Sequence, residues 1–92
     1  MVAVRIIMKS NAFASNNPKD IKEIGVSDGI VCKYYAVADL YSYLMDNPSV
    51  RICVVDSNSH LVPVRAMNGQ TYIRSEPNEG LIDPLLSLPR VV

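Results

Sequence analysis

The segment LVPVRAMNGQTYIRS, residues 61–75, decides the fold because two strand-like runs flank a strong turn signal. Val, Ile, Tyr and Thr favour extended backbone, and Asn68-Gly69 is typical of a two-residue β-hairpin loop. Such a loop pairs Arg65 with Tyr72 and Val64 with Ile73. Since side chains alternate along a strand, this register predicts an inner and an outer face. The inner face would carry Val62, Val64, Ala66 and Ile73, and the outer face Arg65, Gln70, Tyr72 and Arg74.

Residues 50–55, VRICVV, predict a third strand beside this hairpin. A three-residue loop at 57–59 pairs Val54 with Val62 and Ile52 with Val64, which keeps aliphatic side chains opposite each other. A two-residue loop would instead turn Arg51 into the core, where an unpaired charge is costly. The sequence therefore predicts a three-stranded meander over residues 50–75, whose outer face brings together Arg51, Arg65, Tyr72 and Arg74.

Upstream of the meander the apolar period changes from two to 3.6, which predicts an amphipathic helix over residues 36–47. Its apolar stripe consists of Val37, Leu40, Tyr41, Leu44 and Met45. Before the helix, residues 2–10 alternate as a strand does, and residues 11–20 predict a loop anchored by Phe13. Within residues 21–35, Asp28-Gly29 lies between two apolar runs and favours a type I′ hairpin.

Within the C-terminal residues 76–92, the stretch 81–89 contains five aliphatic side chains and two prolines; the aliphatic residues are Leu81, Ile82, Leu85, Leu86 and Leu88. Pro84 and Pro89 prevent a continuous helix and are excluded from a central strand. Burial of each aliphatic side chain is worth about 1.5–3 kcal/mol, so exposure of all five would waste much of a small core. We expect residues 76–92 to form an irregular latch over the sheet or the helix; the alternative is a dimer seam.

These predictions combine into an α+β fold of order β-β-β-α-β-β-β. It has a small antiparallel sheet of about five to six strands, one short amphipathic helix and an irregular C-terminal Leu/Pro latch. The length of 92 residues predicts a single domain over 1–92, with N-terminal strands in 1–35, the helix in 36–47, the meander in 50–75 and the latch in 76–92. A domain this small buries a modest share of its surface, which makes oligomerisation a further source of stability.

The composition restricts the class of function. A formal net charge of zero provides no overall field for nucleic acid, and no stretch approaches the ~20 apolar residues of a membrane helix. The N-terminus lacks the features of a signal peptide, so we expect a cytoplasmic protein. Cys32 and Cys53 are far apart and outside any motif, which predicts reduced, buried thiols.

No phosphate-binding loop, nucleophile elbow, zinc-protease motif or dinucleotide fingerprint occurs in the sequence. The expected register pairs the one histidine, His60, with Asp56, away from both thiols, and predicts that it is exposed. The carboxylates are scattered along loops. We therefore expect no enzyme, no cofactor and no metal site.

The outer-face arginines are the best candidate site. Guanidinium groups on neighbouring strands repel one another unless negative charge lies between them. Either intramolecular acids neutralise them, or an external anion or acidic partner does; the candidate acids are Asp39, Asp46, Glu76, Glu79 and Asp83. Tyr72 beside Arg65 would suit a phosphorylated or nucleotide-like ligand.

Two classes of function follow. The first is a non-enzymatic interaction or regulatory module, which contacts a protein partner or a second copy of itself. The alternative is nucleotide or nucleic-acid binding through Arg51, Arg65, Tyr72 and Arg74, which the neutral net charge disfavours.

Several features occur together in one known family: Ile24-Gly25 early, Tyr72-Ile73-Arg74-Ser75 at the last strand, and Leu85, Leu86, Leu88 and Pro89 at the end. In this pattern the chain resembles the short bacterial and phage proteins grouped as domain of unknown function 3892. The resemblance spans roughly residues 4–90 and is most specific over 72–89. The chain departs at Pro84, where the family usually has Asn, and at Ala36, where a Ser or Thr helix cap is common. The resemblance implies a compact α+β module with no established activity, substrate or catalytic residue.

Overall fold

A computed structural model describes residues 1–77 and 83–91, which form one helix on one sheet. The strands are β1 (Val2–Met8), β2 (Ile21–Ser27), β3 (Cys32–Ala36), β4 (Cys53–Val54), β5 (His60–Arg65), β6 (Thr71–Glu76) and β7 (Arg90–Val91). The helix α1 spans Val37–Asp46, and 3₁₀ turns lie at Pro18–Asp20 and Pro84–Ser87. No helix in these described ranges is long and apolar enough to cross a membrane.

The strand order is β3-β2-β1-β4-β5-β6, and β7 pairs with β1 beyond β4. The predicted α+β class, with its single short helix and Leu/Pro latch, is confirmed. The sheet is mixed, whereas an antiparallel sheet was expected, because β4 and β7 both join β1 in parallel. Because β4 has two residues, it covers a short part of one side of β1. The same side therefore pairs with β4 near Val2 and with β7 near Ile6.

The core lies between α1, one face of the sheet and the C-terminal latch. Its fully buried side chains include Ile6, Ile24, Ile52, Ile73 and Leu85. The helix contributes Leu40 and Leu44 to this core, whereas Met45, which the helical period placed on the same stripe, is exposed. The N-cap residue Ala36 makes no side-chain hydrogen bond to the helix, so packing rather than capping stabilises α1.

The predicted register of the β5–β6 hairpin is wrong by one residue. Arg65 pairs with Thr71 and Val64 with Tyr72, because the loop has three residues. The Gly69 N–H donates to the Ala66 carbonyl at 2.9 Å, and Gly69 has a φ of +88°. This is a type I turn followed by a left-handed glycine, the usual geometry of a three-residue hairpin loop. Since one residue of shift exchanges the faces, Ile73 enters the core with Leu61, and the valines of β5 do not.

The predicted β4–β5 register is also wrong. Cys53 pairs with His60, and the Leu61 N–H donates to the Ile52 carbonyl at 2.8 Å. The four-residue loop 55–58 contains Asp56 with a φ of +58°, a conformation that Asp tolerates better than most residues. This register buries Leu61 against Ile52, which the expected pairing of Ile52 with Val64 would have prevented. His60 is consequently half-buried and lies opposite a thiol, not opposite Asp56.

The latch is confirmed for the part that the structure describes. Leu85, Leu86 and Leu88 are buried, whereas Leu81 and Ile82 lie outside the described residues. The Asp83 carboxylate, itself buried, accepts hydrogen bonds from the Ser75 N–H at 3.1 Å, the Ser75 hydroxyl and the Leu85 N–H at 2.8 Å. The latch is therefore attached to β6 by a buried polar anchor as well as by its leucines.

Three smaller expectations need correction. Phe13 is 50% exposed and does not anchor its loop; the loop is joined to the latch instead by Arg90, whose Nη1 donates to the Phe13 carbonyl at 2.6 Å. Both cysteines are free thiols, as predicted, but Cys32 is half-buried and Cys53 is exposed. Cys53 is exposed because the observed β4–β5 register turns its side chain away from the core.

Candidate functional site

The two edge strands of the sheet, β3 and β6, differ in how they are covered. At β6, the Ser75 N–H faces away from β5 and is bound by the Asp83 carboxylate. The 3₁₀ turn at Pro18–Asp20 also lies beside β6, with the Lys19 Nζ 5.4 Å from the centroid of the Tyr72 ring. At β3, no strand in the described part of the chain pairs with the outer edge. Among the described residues, the open end of the strand path from β3 to β6 is therefore β3.

The hydrogen-bonding groups of β3 alternate between the β2 side and the open side. The Asp28 N–H donates to the Val31 carbonyl at 3.2 Å, so this pair of the β2–β3 hairpin is a hydrogen-bonded one. Hydrogen-bonded and non-hydrogen-bonded pairs alternate in an antiparallel ladder. Lys33 and Tyr35 therefore bond to β2, whereas Cys32 and Tyr34 direct their backbone N–H and C=O groups outward.

The side chains of β3 alternate between the two faces of the sheet. Lys33 and Tyr35 pair with Val26 and Ile24, which are buried, and so lie on the core face. Tyr34 pairs with Gly25 on the opposite face, and its ring covers the glycine: a Cβ there would lie 2.8 Å from the ring Cε1. Tyr34 and Tyr35 remain 38% and 40% exposed, which is high for aromatic side chains in a strand.

The tip of the β2–β3 hairpin continues this apolar surface. Ile30 is 94% exposed and Val31 is about half exposed. The predicted hairpin is present, but its central residues are Gly29 and Ile30, and only the glycine has a positive φ, +102°. The type I′ prediction is therefore wrong, and a positive φ at the first central position alone is the type II′ pattern.

The Asp28 side chain organises the tip. Its Oδ1 accepts hydrogen bonds from the N–H groups of Ile30 and Val31, both at 2.9 Å. These hydrogen bonds stabilise the charged carboxylate and lower the pKa of Asp28 below its ordinary value. The bond from Val31 has the largest effect, followed by the bond from Ile30. These hydrogen bonds stabilise a tip conformation in which the aliphatic side chains are exposed.

An apolar pocket opens beside β3 on the core face. Its volume is about 240 Å³, and we call it the β3 pocket. It is lined by Met1, Val26, Tyr35, Asp39, Leu40, Tyr43 and Ile52. Asp39 and Tyr43 lie four residues apart on one face of α1, which places a carboxylate beside an aromatic wall. Asp39 is the one lining residue with a charged side chain.

The predicted arginine face is divided by the corrected registers. Arg65 pairs with Thr71, so alternation places it on the face opposite to Tyr72 and Arg74. Arg74 forms a salt bridge with Glu76 at 2.5 Å, which is one of the neutralising contacts that the sequence suggested. Glu79, another of those acids, lies outside the described residues. Anion binding by Arg51, Arg65, Tyr72 and Arg74 stays a prediction.

Arg51 has a partner of its own. Its Nη1 donates to the His60 Nε2 at 2.6 Å. Since a guanidinium can only donate, Nε2 is the acceptor in this contact. Cys53 lies opposite His60 on the neighbouring strand. Sequence reasoning missed this arrangement because it assumed the wrong loop length between β4 and β5.

Sequence reasoning also missed the β3 edge and the β3 pocket. The exposed pair Tyr34-Tyr35 was an available signal, since adjacent tyrosines on a strand expose one ring on each face. The pocket itself joins residues from the N-terminus, β2, α1 and the segment before β4, and no local pattern connects them.

The fold and the open edge define a class: small α+β proteins with one short helix on an open mixed sheet and an uncovered edge strand. Within that class, the chain belongs to the family described as protein of unknown function (DUF3892), whose model matches residues 1–89 of the 92. The predicted family is thereby confirmed. Neither the curated proteins nor the solved structures gave a match.

Proposed function

We propose that this protein is a non-enzymatic interaction module that binds a protein partner by strand addition at β3. The observation that carries the proposal is the difference between the two edges of the sheet. The outward N–H of Ser75 on β6 is bound by Asp83, whereas those of Cys32 and Tyr34 on β3 face an open side. Uncovered edges invite pairing with another chain, and proteins usually protect them. An edge left open and flanked by tyrosines is suited to recognition.

The β3 pocket supports a protein partner over a small ligand. A strand added to β3 would place every second side chain on the core face, next to Tyr35 and the pocket mouth. A volume of about 240 Å³ is smaller than most cofactor and substrate cavities but suits one or two apolar side chains. The backbone of the partner would supply affinity, and the pocket would select a side chain.

We further propose that the protein has no catalytic role. A thiol nucleophile needs a neighbouring nitrogen that can accept its proton. The Nε2 of His60 accepts from Arg51, so this nitrogen is not available to Cys53 in this arrangement. Both cysteines being free thiols supports the cytoplasmic location that we propose, since that compartment keeps thiols reduced. Nucleotide or nucleic-acid binding has less support, because Arg51, Tyr72 and Arg74 already have separate intramolecular partners.

The test is selection of linear peptides from a random display library against the full chain. Binding sites are then mapped by amide chemical shifts. We expect selected peptides to alternate apolar and polar residues and to shift the amides of Cys32 and Tyr34. Cys32→Pro should abolish binding, because its ring replaces an outward N–H while the ladder to β2 remains intact.

Cys32→Ala is the matched control, because it removes the same thiol but keeps the N–H. Thermal unfolding of both variants verifies that they fold. The proposal is wrong if no peptide is selected, if the two variants bind alike, or if the shifted amides lie away from β3.

A further inference from the structure

We infer that the partner of the β3 edge is a second copy of this chain, with the two β3 strands antiparallel about a two-fold axis at Tyr34. The inference rests on the proposed function, since it names the partner for the same edge. It is argued from the outward-facing groups of β3 and from the charges on either side of the edge.

The outward-facing groups determine which registers are available. Two antiparallel strands form hydrogen bonds between residues that both face the partner. On β3 these are Cys32, Tyr34 and, by the same alternation, the N–H of Ala36, whose carbonyl lies at the start of α1. Centring the axis on Tyr34 pairs it with its own copy and pairs Cys32 with the second copy's Ala36. This register uses the whole strand, and a two-fold axis makes both halves of the contact identical.

Charge complementarity favours this register. It sets Lys33 directly opposite Tyr35 of the second copy, with both side chains on the core face. Tyr35 lines the β3 pocket together with Asp39. The flexible four-carbon stem of Lys33 can therefore lie across the pocket mouth and bring its ammonium to the carboxylate of Asp39 in the second copy. Symmetry produces two such contacts.

The groups involved are available for this contact. Lys33 is exposed and forms no salt bridge within the part of the chain that the structure describes. The helix α1 leaves β3 at Ala36 and runs back to contact β5 and β6, so it does not extend over the open edge.

The neighbouring registers are less favourable. An axis on Lys33 would pair Cys32 with Tyr34 of the second copy but would set the two Lys33 side chains directly opposite each other, and like charges there are destabilising. An axis on Cys32 would place Lys33 opposite Val31 and Tyr34 opposite Ile30, beyond the end of the strand. It would set Tyr35 opposite the turn residue Gly29, which has no side chain, and it would not bring Lys33 to Asp39 of the second copy. Since β3 has five residues, the contact is small, and we expect a dimer that dissociates on dilution.

The test is sedimentation equilibrium of the full chain over a wide range of concentration. We expect the wild type to dimerise reversibly. Lys33→Glu sets glutamate against Asp39 at both ends of the contact, and Asp39→Lys sets lysine against Lys33. Each variant should weaken dimerisation at least about tenfold, because attraction becomes repulsion at two places. Arg65→Glu, an equal charge change on an exposed residue of β5, should leave dimerisation unchanged.

Mixing the two variants separates this contact from an effect within one chain. A heterodimer of Lys33→Glu with Asp39→Lys restores opposite charges at both ends, so the mixture should dimerise more strongly than either variant alone. A Lys33–Asp39 interaction within one chain would not be restored by mixing. Failure of the mixture to dimerise, or equal dimerisation of all variants, would overturn the inference.

Hydrogen exchange measured by NMR tests the register. The Cys32 and Tyr34 amides should become protected as concentration rises, whereas those of Lys33 and Tyr35, already bonded to β2, should not change. If the chain stays monomeric while library peptides still protect Cys32 and Tyr34, the dimer is wrong and strand addition stands. If neither event protects these amides, both proposals fail.

Discussion

Replacement of Leu85 by Ala measures how much the C-terminal latch contributes to the core. The side chain is 0% exposed, so its truncation removes three fully buried carbon atoms. At about 0.8 kcal/mol for each carbon, the transfer of these atoms accounts for about 2.4 kcal/mol. The cavity left behind adds to this value, and buried Leu→Ala changes in other proteins cost about 2–5 kcal/mol. We expect Leu85→Ala to lower the free energy of unfolding by about 3 kcal/mol.

Urea denaturation followed by circular dichroism provides the measurement. A domain of this size has a total stability of about 5–14 kcal/mol, so the expected loss is a large part of it. The melting temperature should fall by more than about 10 °C. The control is Met67→Ala, because Met67 lies at a hairpin tip and is fully exposed. If the two variants differ by less than about 1 kcal/mol, the latch does not close the core.

Three further predictions concern other parts of the fold. Asp83→Asn turns an acceptor for Ser75 into a donor and should cost about 1–3 kcal/mol in urea denaturation; a cost no larger than that of Ser75→Ala would contradict the buried anchor. Gly69→Ala forces a Cβ into a left-handed conformation and should cost about 1–2 kcal/mol, whereas Gly69→Asn should cost less; equal losses would exclude conformational strain as the cause. The lowered pKa of Asp28 means that its carboxylate stabilises the fold above the unfolded pKa, and this contribution is lost as pH falls through the folded pKa. On moving from about pH 7 to about pH 3, the melting temperature of the wild type should therefore fall further than that of Asp28→Asn, and parallel curves would refute this.

The helix and the latch could be predicted from the sequence because local rules determine both. The spacing of Val37, Leu40 and Leu44 fits one face of a helix and does not fit the alternation of a strand. In the latch, the prolines prevent a continuous helix or central strand, and the leucines are stabilising when they are buried. The strand registers could not be predicted. Residues 61–64, LVPV, are apolar at every position. The alternation of side chains therefore does not determine whether Leu61 and Pro63 or Val62 and Val64 face the core. Asn68-Gly69 suits a two-residue loop and a three-residue loop alike, and only the packing of Leu61 against Ile52 and Ile73 decides between them.

The candidate site was hidden for a different reason. Whether a strand is an edge depends on the order of the whole sheet, and this order follows from a parallel pairing of β1 with β4, two elements about 50 residues apart. The same long-range pairing brings Met1 and Ile52 together as two walls of the β3 pocket. Local pattern could identify Tyr34 and Tyr35 as strand residues but not as residues of an open edge. It could equally predict arginines on the meander without determining that Arg65 and Tyr72 lie on opposite faces. The exposure of a strand edge in this protein is thus a property of sheet order, which explains why the sequence pointed to the arginines while the uncovered backbone lies at β3.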